Sequence, residues 1–397
     1  MSRQRISRNV RHNYPGAFVV TLTLVALSAV LASCATPART AVPKAPTHER
    51  STTTTTTSPF PDPGTGTGYL APGSDPSVLP GPILLADEGN NRLIVVDPQG
   101  RTLWTFPQPG DLPPGVSLQS PDDAFFTPDG KEIIVTEEEY SVITVVDVAS
   151  RKILWRYGTP GVPGDGPNQL SNPDDALVLP NGDVLTADIK NCRLLLFATH
   201  TLVPAHIYGT TTQECEHAPP ARWGSPNGAF PMANGHYLVT EINGDWVDEM
   251  DLSGKIYASW HPPGVAYPSD SNEVSPGTYL TVDYSQPGQI ETFDALGRLL
   301  WRYRPTGNAA LNHPSLALPL PNGDVIATDD HNDRVIVVNP KTDAVVWQYG
   351  VRGQPGDAPG LLNAVDGLDL LPPYSELVVH AATMGLPPVP VPAATTP

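Results

Sequence analysis

Short apolar runs alternate with polar turns along most of the chain. Residues 173–209 read PDDALVLPNGDVLTADIKNCRLLLFATHTLVPAHIYG, in which four apolar runs are separated by turns that contain Asn-Gly or Asp and Asn. Short runs rich in Val, Leu and Ile between such turns are typical of antiparallel strands joined in sequence order. The pattern therefore predicts a sheet of four antiparallel strands.

The same unit recurs along the chain. Copies start at Pro121, Pro226, Pro268 and Pro314, and a truncated copy starts at Ala364. A four-stranded unit that repeats every 40 to 50 residues is the signature of a β-propeller. Tryptophans recur at one position of the fourth strands and are interpreted as packing between blades. They are Trp104, Trp155, Trp260, Trp301 and Trp347.

The repeats predict an all-β fold, a six-bladed β-propeller whose ring is closed by the two chain ends. The segment that begins at Pro82 supplies only the last three strands of blade one. We expect its innermost strand to come from Val365–Leu371. Because Glu376–His380 resembles a second strand, a partial seventh blade stays open as an alternative.

The N-terminus has the composition of an export signal. Residues 1–33 contain four arginines and no acidic residue, and the apolar run Ala17–Val30 is too short for a confident membrane span. The ending Leu31-Ala32-Ser33-Cys34 resembles the bacterial lipobox, which implies lipidation of Cys34 and cleavage just before it. The alternative is an ordinary signal peptide with an incidental cysteine. Either reading predicts an extracytoplasmic protein, and the first predicts a lipid anchor in the cell membrane.

Composition divides the rest of the chain into three parts. Residues 34–81 are rich in Thr, Pro and Gly and are interpreted as a tether. Residues 82–380 form the propeller, and residues 381–397 are interpreted as a disordered tail.

Charge and cysteine content restrict the partners and the compartment. Removing the four arginines of residues 1–33 from 23 Lys and Arg leaves 19 basic against 41 acidic side chains, a net charge of −22. Such a charge argues against nucleic acid as a partner. Cys192 and Cys215 remain in the exported part and are expected to form a disulfide, although two buried thiols are the alternative.

Three families of propeller share motifs with this chain. The turns in LADEGNNRLIVVD, TADIKNCRLLLF and TDDHNDRVIVV resemble the Asp-x-x-Asn-x-Arg turn of NHL repeats. The fourth strands DVASRKILWRYG and NPKTDAVVWQYG are similar to pyrroloquinoline-quinone-type (PQQ-like) repeats, which usually form eight blades. The L-P-N-G strands resemble those of six-bladed bacterial arylsulfotransferases, whose chemistry implies a histidine cluster in the channel. Only His313 and His331 lie where such a cluster would be.

Acidic residues mark one end of the predicted blades. If strands alternate in direction, the turn before the first strand and the turn after the second share one face. The first strands begin with acidic or amide side chains that could together hold Ca²⁺, which prefers several oxygen ligands. Alternatively, these side chains cap turns; we favour turn caps for the carboxylates that end the second strands. The candidate ligands are Asp123, Asp175, Asn227, Asp270 and Asp366.

These observations predict a function that is defined only by class. We expect a monomeric binding or scaffold module that engages a protein, glycan or small molecule on its acidic face and meets the membrane only through its lipid anchor. The alternative is an enzyme at the channel mouth, either a metal-assisted lyase or hydrolase or an arylsulfotransferase-like transferase. His313 and His331 are the candidate catalytic residues of that alternative, as a general base paired with an aspartate.

Overall fold

The computed structural model describes residues 59–60, 68–212 and 214–372. Within these residues, six four-stranded antiparallel sheets form the six blades of a β-propeller. The first three blades contain β1 (Ile83–Asp87), β2 (Arg92–Val96), β3 (Thr102–Phe106), β4 (Pro121–Phe126), β5 (Glu132–Glu137), β6 (Val142–Asp147), β7 (Ile153–Tyr157), β8 (Pro173–Val178), β9 (Val184–Asp188), β10 (Arg193–Phe197) and β11 (Pro204–Gly209). The others contain β12 (Pro226–Pro231), β13 (Tyr237–Glu241), β14 (Trp246–Met250), β15 (Ile256–Trp260), β16 (Pro268–Ser275), β17 (Thr278–Asp283), β18 (Gln289–Asp294), β19 (Leu299–Tyr303), β20 (Ala317–Pro319), β21 (Val325–Asp329), β22 (Arg334–Asn339) and β23 (Ala344–Gly350), while β24 (Val365–Leu370) completes blade one.

The position of a strand within its blade determines its burial. The second strands β1, β9, β13 and β21 are buried along their whole length because a neighbouring blade covers each face of the sheet. The fourth strands β3 and β7 alternate between buried and more exposed side chains. Such alternation is expected of a strand with one face towards solvent. Short 3₁₀ turns complete the secondary structure at Pro76–Val78, Glu88–Asn90, Ile189–Asn191, Gly307–Ala309 and Asp330–Asn332.

The chain closes the ring as the sequence predicts. Strand β24 pairs antiparallel with β1, with Ile83 opposite Leu370 and Leu85 opposite Leu368. The sheet order β24-β1-β2-β3 therefore combines the C-terminal strand with three N-terminal strands. The segment Glu376–His380, on which the alternative of a seventh blade depends, lies outside the described residues.

The recurring fourth-strand aromatics join each blade to the next. The indole N–H of Trp104 in blade one donates to the Val148 carbonyl of blade two at 3.0 Å. Trp155 and Trp260 likewise donate to backbone carbonyls of the following blade, and Trp301 donates to the Asp343 carboxylate of blade six. In blade three, which lacks this tryptophan, the Tyr208 hydroxyl donates to the Leu252 carbonyl at 2.7 Å. Packing between blades, as predicted for the tryptophans, thus includes a directional hydrogen bond.

The packed part of the chain begins before Pro82, where the sequence places the end of the tether. Leu70 forms an isolated bridge with Tyr349, and Leu79 is buried. Phe60 is only 6% exposed and lies 6.5 Å, between ring centroids, from Trp104. Single apolar side chains within the Thr/Pro/Gly-rich segment therefore pack against the blades.

Two further features concern export and stability. Cys192 and Cys215 form a disulfide that ties the start of β10 to the loop after β11. None of the helical segments among the described residues is both long and apolar enough to cross a membrane. The signal sequence, Cys34 and residues 381–397 lie outside the described residues, so their assignments stay predictions.

Candidate functional site

The turns between second and third strands share a face with the segments that precede the first strands, as predicted. In blade three, the Ile189 N–H donates to the Asn172 carbonyl at 3.1 Å. In blade six, the His331 N–H donates to the Asn312 carbonyl at 3.1 Å. These bonds within blades place the acidic residues of both sets at one end of the channel. We call this end the acidic mouth; its innermost carboxylates are Asp122, Asp123, Asp174, Asp175, Asp270 and Asp366.

The carboxylates that end the second strands cap turns. Asp188 accepts a hydrogen bond from the Ser171 N–H at 2.7 Å and forms an ion pair with Arg193 at 2.8 Å. Asp329 likewise accepts from the Asn312 N–H and pairs with Arg334. The partners of Asp188 and Asp329 are those that the turn-cap interpretation expects, so these two side chains are not available as ligands.

A β-bulge begins each of several first strands and changes the direction of their acidic side chains. The register of β4 against β5 shifts between Pro121 and Ala124, and that of β8 against β9 shifts between Pro173 and Ala176. In a regular strand, consecutive side chains would point to opposite faces. A bulge re-aims them, so that carboxylates of Asp122, Asp123 and Asp174 come within 4.8 Å of one another.

Three of the predicted ligands converge in the channel. Asp123, Asp175 and Asp270 each offer a carboxylate oxygen within 4.8 Å of the other two, and they are 3%, 1% and 1% exposed. Among the described residues, neither oxygen of Asp175 or Asp270 has a hydrogen-bond partner, and Oδ1 of Asp123 has none. A buried polar atom without a partner is costly. The cluster therefore needs protons or a cation.

Glycines make room for these carboxylates in two other blades. Gly228 occupies the position of blade four that Asp175 occupies in blade three, and a Cβ built on it would lie 1.8 Å from Oδ2 of Asp175. A Cβ on Gly367 would lie 2.6 Å from Oδ1 of Asp123. Both contacts are too short for any side chain. The two glycines therefore keep the axis open for the aspartates of their neighbours.

Burial and mutual repulsion raise the proton affinity of the cluster. Burial, followed by the charges of Asp270 and Asp366, raises the pKa of Asp123 well above its ordinary value. Burial also raises the pKa of Asp175, with Asp270 the next cause. Burial raises the pKa of Asp270 to about 7. Since oxygen-rich clusters of this kind suit Ca²⁺, the donor set fits a hard divalent cation.

The remaining predicted ligands lie outside this cluster. Asp366 belongs to a second group of carboxylates with Asp122 and Glu88. Asn227 donates from its amide nitrogen to the Ser269 hydroxyl at 3.2 Å and joins neither group. Sequence reasoning thus omitted Asp122 and Asp174, as well as Glu88, from the ligand set. The sequence signal for Asp122 and Asp174 was the pair of consecutive aspartates that begins the first strand in two blades. Both aspartates of a pair can face the channel only because a bulge interrupts the strand there.

The two candidate catalytic histidines lie side by side at the acidic mouth. The ring centroids of His313 and His331 are 4.4 Å apart, and that of Tyr284 is 4.8 Å from His313. The Tyr284 hydroxyl donates to Asp330 at 3.0 Å. Burial, followed by the charge of His331, lowers the pKa of His313. A neutral His313 at neutral pH could accept a proton.

The opposite end of the channel is apolar. A cavity of about 230 Å³ there is bounded by the C-terminal ends of the first strands. Phe125 and Phe230 meet edge to face in its wall. Leu177 and Leu318 line it from two further blades. The channel therefore has a carboxylate cluster towards one face and an apolar cavity towards the other.

Fold and site together define a six-bladed β-propeller with an acidic channel mouth. Residues 268–367 match the family model described as outer membrane protein assembly factor BamB, a PQQ-like repeat family. Among the three resemblances noted in the sequence, this match supports the PQQ-like repeat. No curated protein matches the chain.

Solved structures with a similar fold have diverse descriptions. A protein of unknown function from Bacteroides caccae is 16% identical, covers 73% of this chain and 98% of its own, and superposes with a TM-score of 0.51. A chain of a nidogen/laminin complex is 12% identical over 73% and 98%, also with a TM-score of 0.51. A streptogramin B lyase is 17% identical over 76% and 97%, with a TM-score of 0.47. At these identities the likeness concerns the fold alone.

Proposed function

We propose that this protein is a lipid-anchored, extracytoplasmic binding module that holds a divalent cation in its acidic mouth and engages its ligand on that face. The ligand would be a protein, a glycan or a small molecule, and the protein would act as a monomer that meets the membrane only through Cys34. The net charge of −22 that remains after removal of residues 1–33 disfavours nucleic acid as a partner.

The carboxylate cluster of Asp123, Asp175 and Asp270 is the observation that carries this proposal. Buried oxygens without hydrogen-bond partners point into a common space. Repulsion among like charges in a dry site is large, and Ca²⁺ would remove it. Bound Ca²⁺ takes six to eight oxygen ligands, so it would also present coordination positions to oxygen atoms of a ligand.

Thermal unfolding of the full chain at neutral pH tests the cation. We expect a lower melting temperature in chelator and its recovery on titration with Ca²⁺. The double variant Asp123→Asn with Asp175→Asn should lose this response. Asp251→Asn is a matched control, because Asp251 is an exposed turn carboxylate that bonds to Ser253 and Lys255. If neither chelator nor Ca²⁺ changes the melting temperature, the proposal that a cation is bound at the acidic mouth is wrong.

Enzymatic action at the acidic mouth is the second candidate, and the histidine pair favours it. His313 and His331 stand next to Tyr284 and Asp330, so proton donors and acceptors are close together. We would test esters, eliminable substrates and aryl sulfates, with Ca²⁺ or Mg²⁺ present. Turnover that is lost in His313→Gln and kept in His236→Gln would support a metal-assisted lyase or hydrolase or an arylsulfotransferase-like reaction. Absence of turnover on all three substrate classes would leave the binding role.

A further inference from the structure

An arginine neutralises a buried carboxylate in five of the six blades. Blades one, three and six pair the last residue of the second strand with the first residue of the third, as in Asp87 with Arg92. Blades two and five use an arginine of the fourth strand instead. Arg156 bonds to Glu137 at 2.9 Å, and Arg302 bonds to Glu291. Each of these five buried carboxylates therefore has a permanent positive partner.

Blade four departs from this pattern. Trp246 stands opposite Glu241, where Arg92 stands opposite Asp87 in blade one. Ser259 stands opposite Asp248, where Arg302 stands opposite Glu291 in blade five. Glu241 and Asp248 are both fully buried, and no arginine among the described residues pairs with either. Two carboxylates thus share one space without the cation that the other blades provide.

A histidine from the loop after blade three enters this space. Nδ1 of His217 lies 2.8 Å from Oε1 of Glu241 and 3.7 Å from Oδ2 of Asp248. That Oδ2 atom is buried and has no hydrogen-bond partner among the described residues. Oδ1 of Asp248 accepts a hydrogen bond from Ser259, and Oε2 of Glu241 accepts one from the Gly224 N–H. The three atoms that face one another are therefore one nitrogen and two carboxylate oxygens.

We propose that His217, Glu241 and Asp248 bind one divalent transition-metal ion of the Zn²⁺ class. One histidine nitrogen and two carboxylate oxygens are a donor set that suits Zn²⁺ better than Ca²⁺. Ligands about 2.0–2.1 Å from a tetrahedral ion lie roughly 3.3 Å apart, and the two nitrogen–oxygen separations bracket this value. The site goes beyond the cation of the acidic mouth, which is built from oxygen donors only.

The loop that carries His217 is held in position for this role. Cys215, two residues earlier, is tied to Cys192 by the disulfide, and its carbonyl accepts a hydrogen bond from Asn243. The His217 ring stacks on Trp246, with centroids 4.0 Å apart and planes inclined by 11°. His217 is 21% exposed at its side chain, so a fourth coordination position would face solvent and could take water or a ligand atom.

Zn²⁺ titration of the full chain at neutral pH tests the site. With excess Ca²⁺ present to fill the acidic mouth, we expect one saturable Zn²⁺ site by calorimetry. We also expect a change in tryptophan fluorescence, because the Trp246 ring stacks on the His217 ring. His217→Gln and Asp248→Asn should each weaken Zn²⁺ binding by at least about 100-fold, since loss of a ligand exceeds the 10- to 100-fold cost of losing its outer partners. His236→Gln is the matched control, because His236 also pairs with a glutamate in blade four, whereas the described part of the chain places it in no cluster with a second carboxylate.

The outcomes separate this site from the acidic mouth. Asp175→Asn should leave Zn²⁺ affinity unchanged, and excess Ca²⁺ should not displace Zn²⁺. A parent protein without saturable Zn²⁺ binding would overturn the proposal, as would unchanged affinity in a folded His217→Gln variant. If Asp248→Asn does not fold, the His217→Gln result decides, since His217 lies on a loop that leaves every strand intact.

Discussion

In the absence of a cation, the protein should become less stable as pH rises, and Asp270 supplies a part of this effect that can be calculated. Burial raises its folded pKa from 3.8 to about 7. The contribution of Asp270 to the free energy of unfolding is therefore fully present below the unfolded pKa of 3.8. It is lost as pH rises through about 7. The complete loss in free energy of unfolding from this pKa shift is about 4 kcal/mol, because one pKa unit corresponds to about 1.4 kcal/mol.

Most of this loss falls in a range that is easy to measure. Of the total, about 3 kcal/mol is lost between about pH 5 and pH 8, where the unfolded carboxylate is already ionised. Urea unfolding in chelator at these two pH values gives the free energy of unfolding directly. Asp123 and Asp175, whose pKa values burial also raises, add to the loss in the parent protein.

Two variants isolate the contribution of Asp270. Asp270→Asn should reduce the pH-dependent loss by about 3 kcal/mol and should stabilise the cation-depleted protein at the higher pH. Asp251→Asn should leave the loss unchanged, since hydrogen bonds from Ser253 lower the pKa of this exposed carboxyl to about 2. Equal stability of the parent at both pH values, or a full loss in Asp270→Asn, would refute the reasoning.

Further predictions concern the axis, the ring and the disulfide. Gly228→Ala should abolish the Ca²⁺-dependent rise in melting temperature, because its Cβ would meet Asp175 at 1.8 Å; an intact response would contradict the clearance argument. Trp347→Phe should cost about 1–3 kcal/mol in urea unfolding, since it removes the hydrogen bond to the Pro98 carbonyl that joins blade six to blade one. Reduction of the disulfide should cost about 3 kcal/mol for a loop of 23 residues; an unchanged urea midpoint after verified reduction would contradict this.

The sequence specifies the propeller closely because its signals are local and repeated. Turn residues recur at fixed offsets, and the absence of a first strand before Pro82 is matched by a surplus strand at Val365–Leu370. Blade three lacks the recurring tryptophan of the fourth strand, but Tyr208 takes its place and makes the hydrogen bond to the next blade. Strand number, order and closure can therefore be derived from spacing alone.

The arrangement of the site depends on contacts between blades that spacing does not encode. The bulge that turns Asp122 and Asp123 towards a common space appears only in the register of paired strands. Gly228 is required because the Asp175 carboxylate of another blade fills the space that a Cβ would occupy. Composition also concealed Phe60, a single aromatic side chain in a polar, proline-rich segment that packs on Phe126. Each of these features joins residues that are distant in sequence.

Because β24 pairs with β1, blade one can be completed only near the end of translation. Ile83 lies opposite Leu370, so β1 lacks its inner neighbour until about 290 further residues have been made. At about 5–20 residues per second this takes roughly 15–60 s. Throughout that time β1 offers a row of unsatisfied N–H and C=O groups, the kind of strand edge that recruits other chains. Nascent or truncated chains that end before Val365 should therefore depend on chaperones, or on rapid removal, far more than the finished ring does.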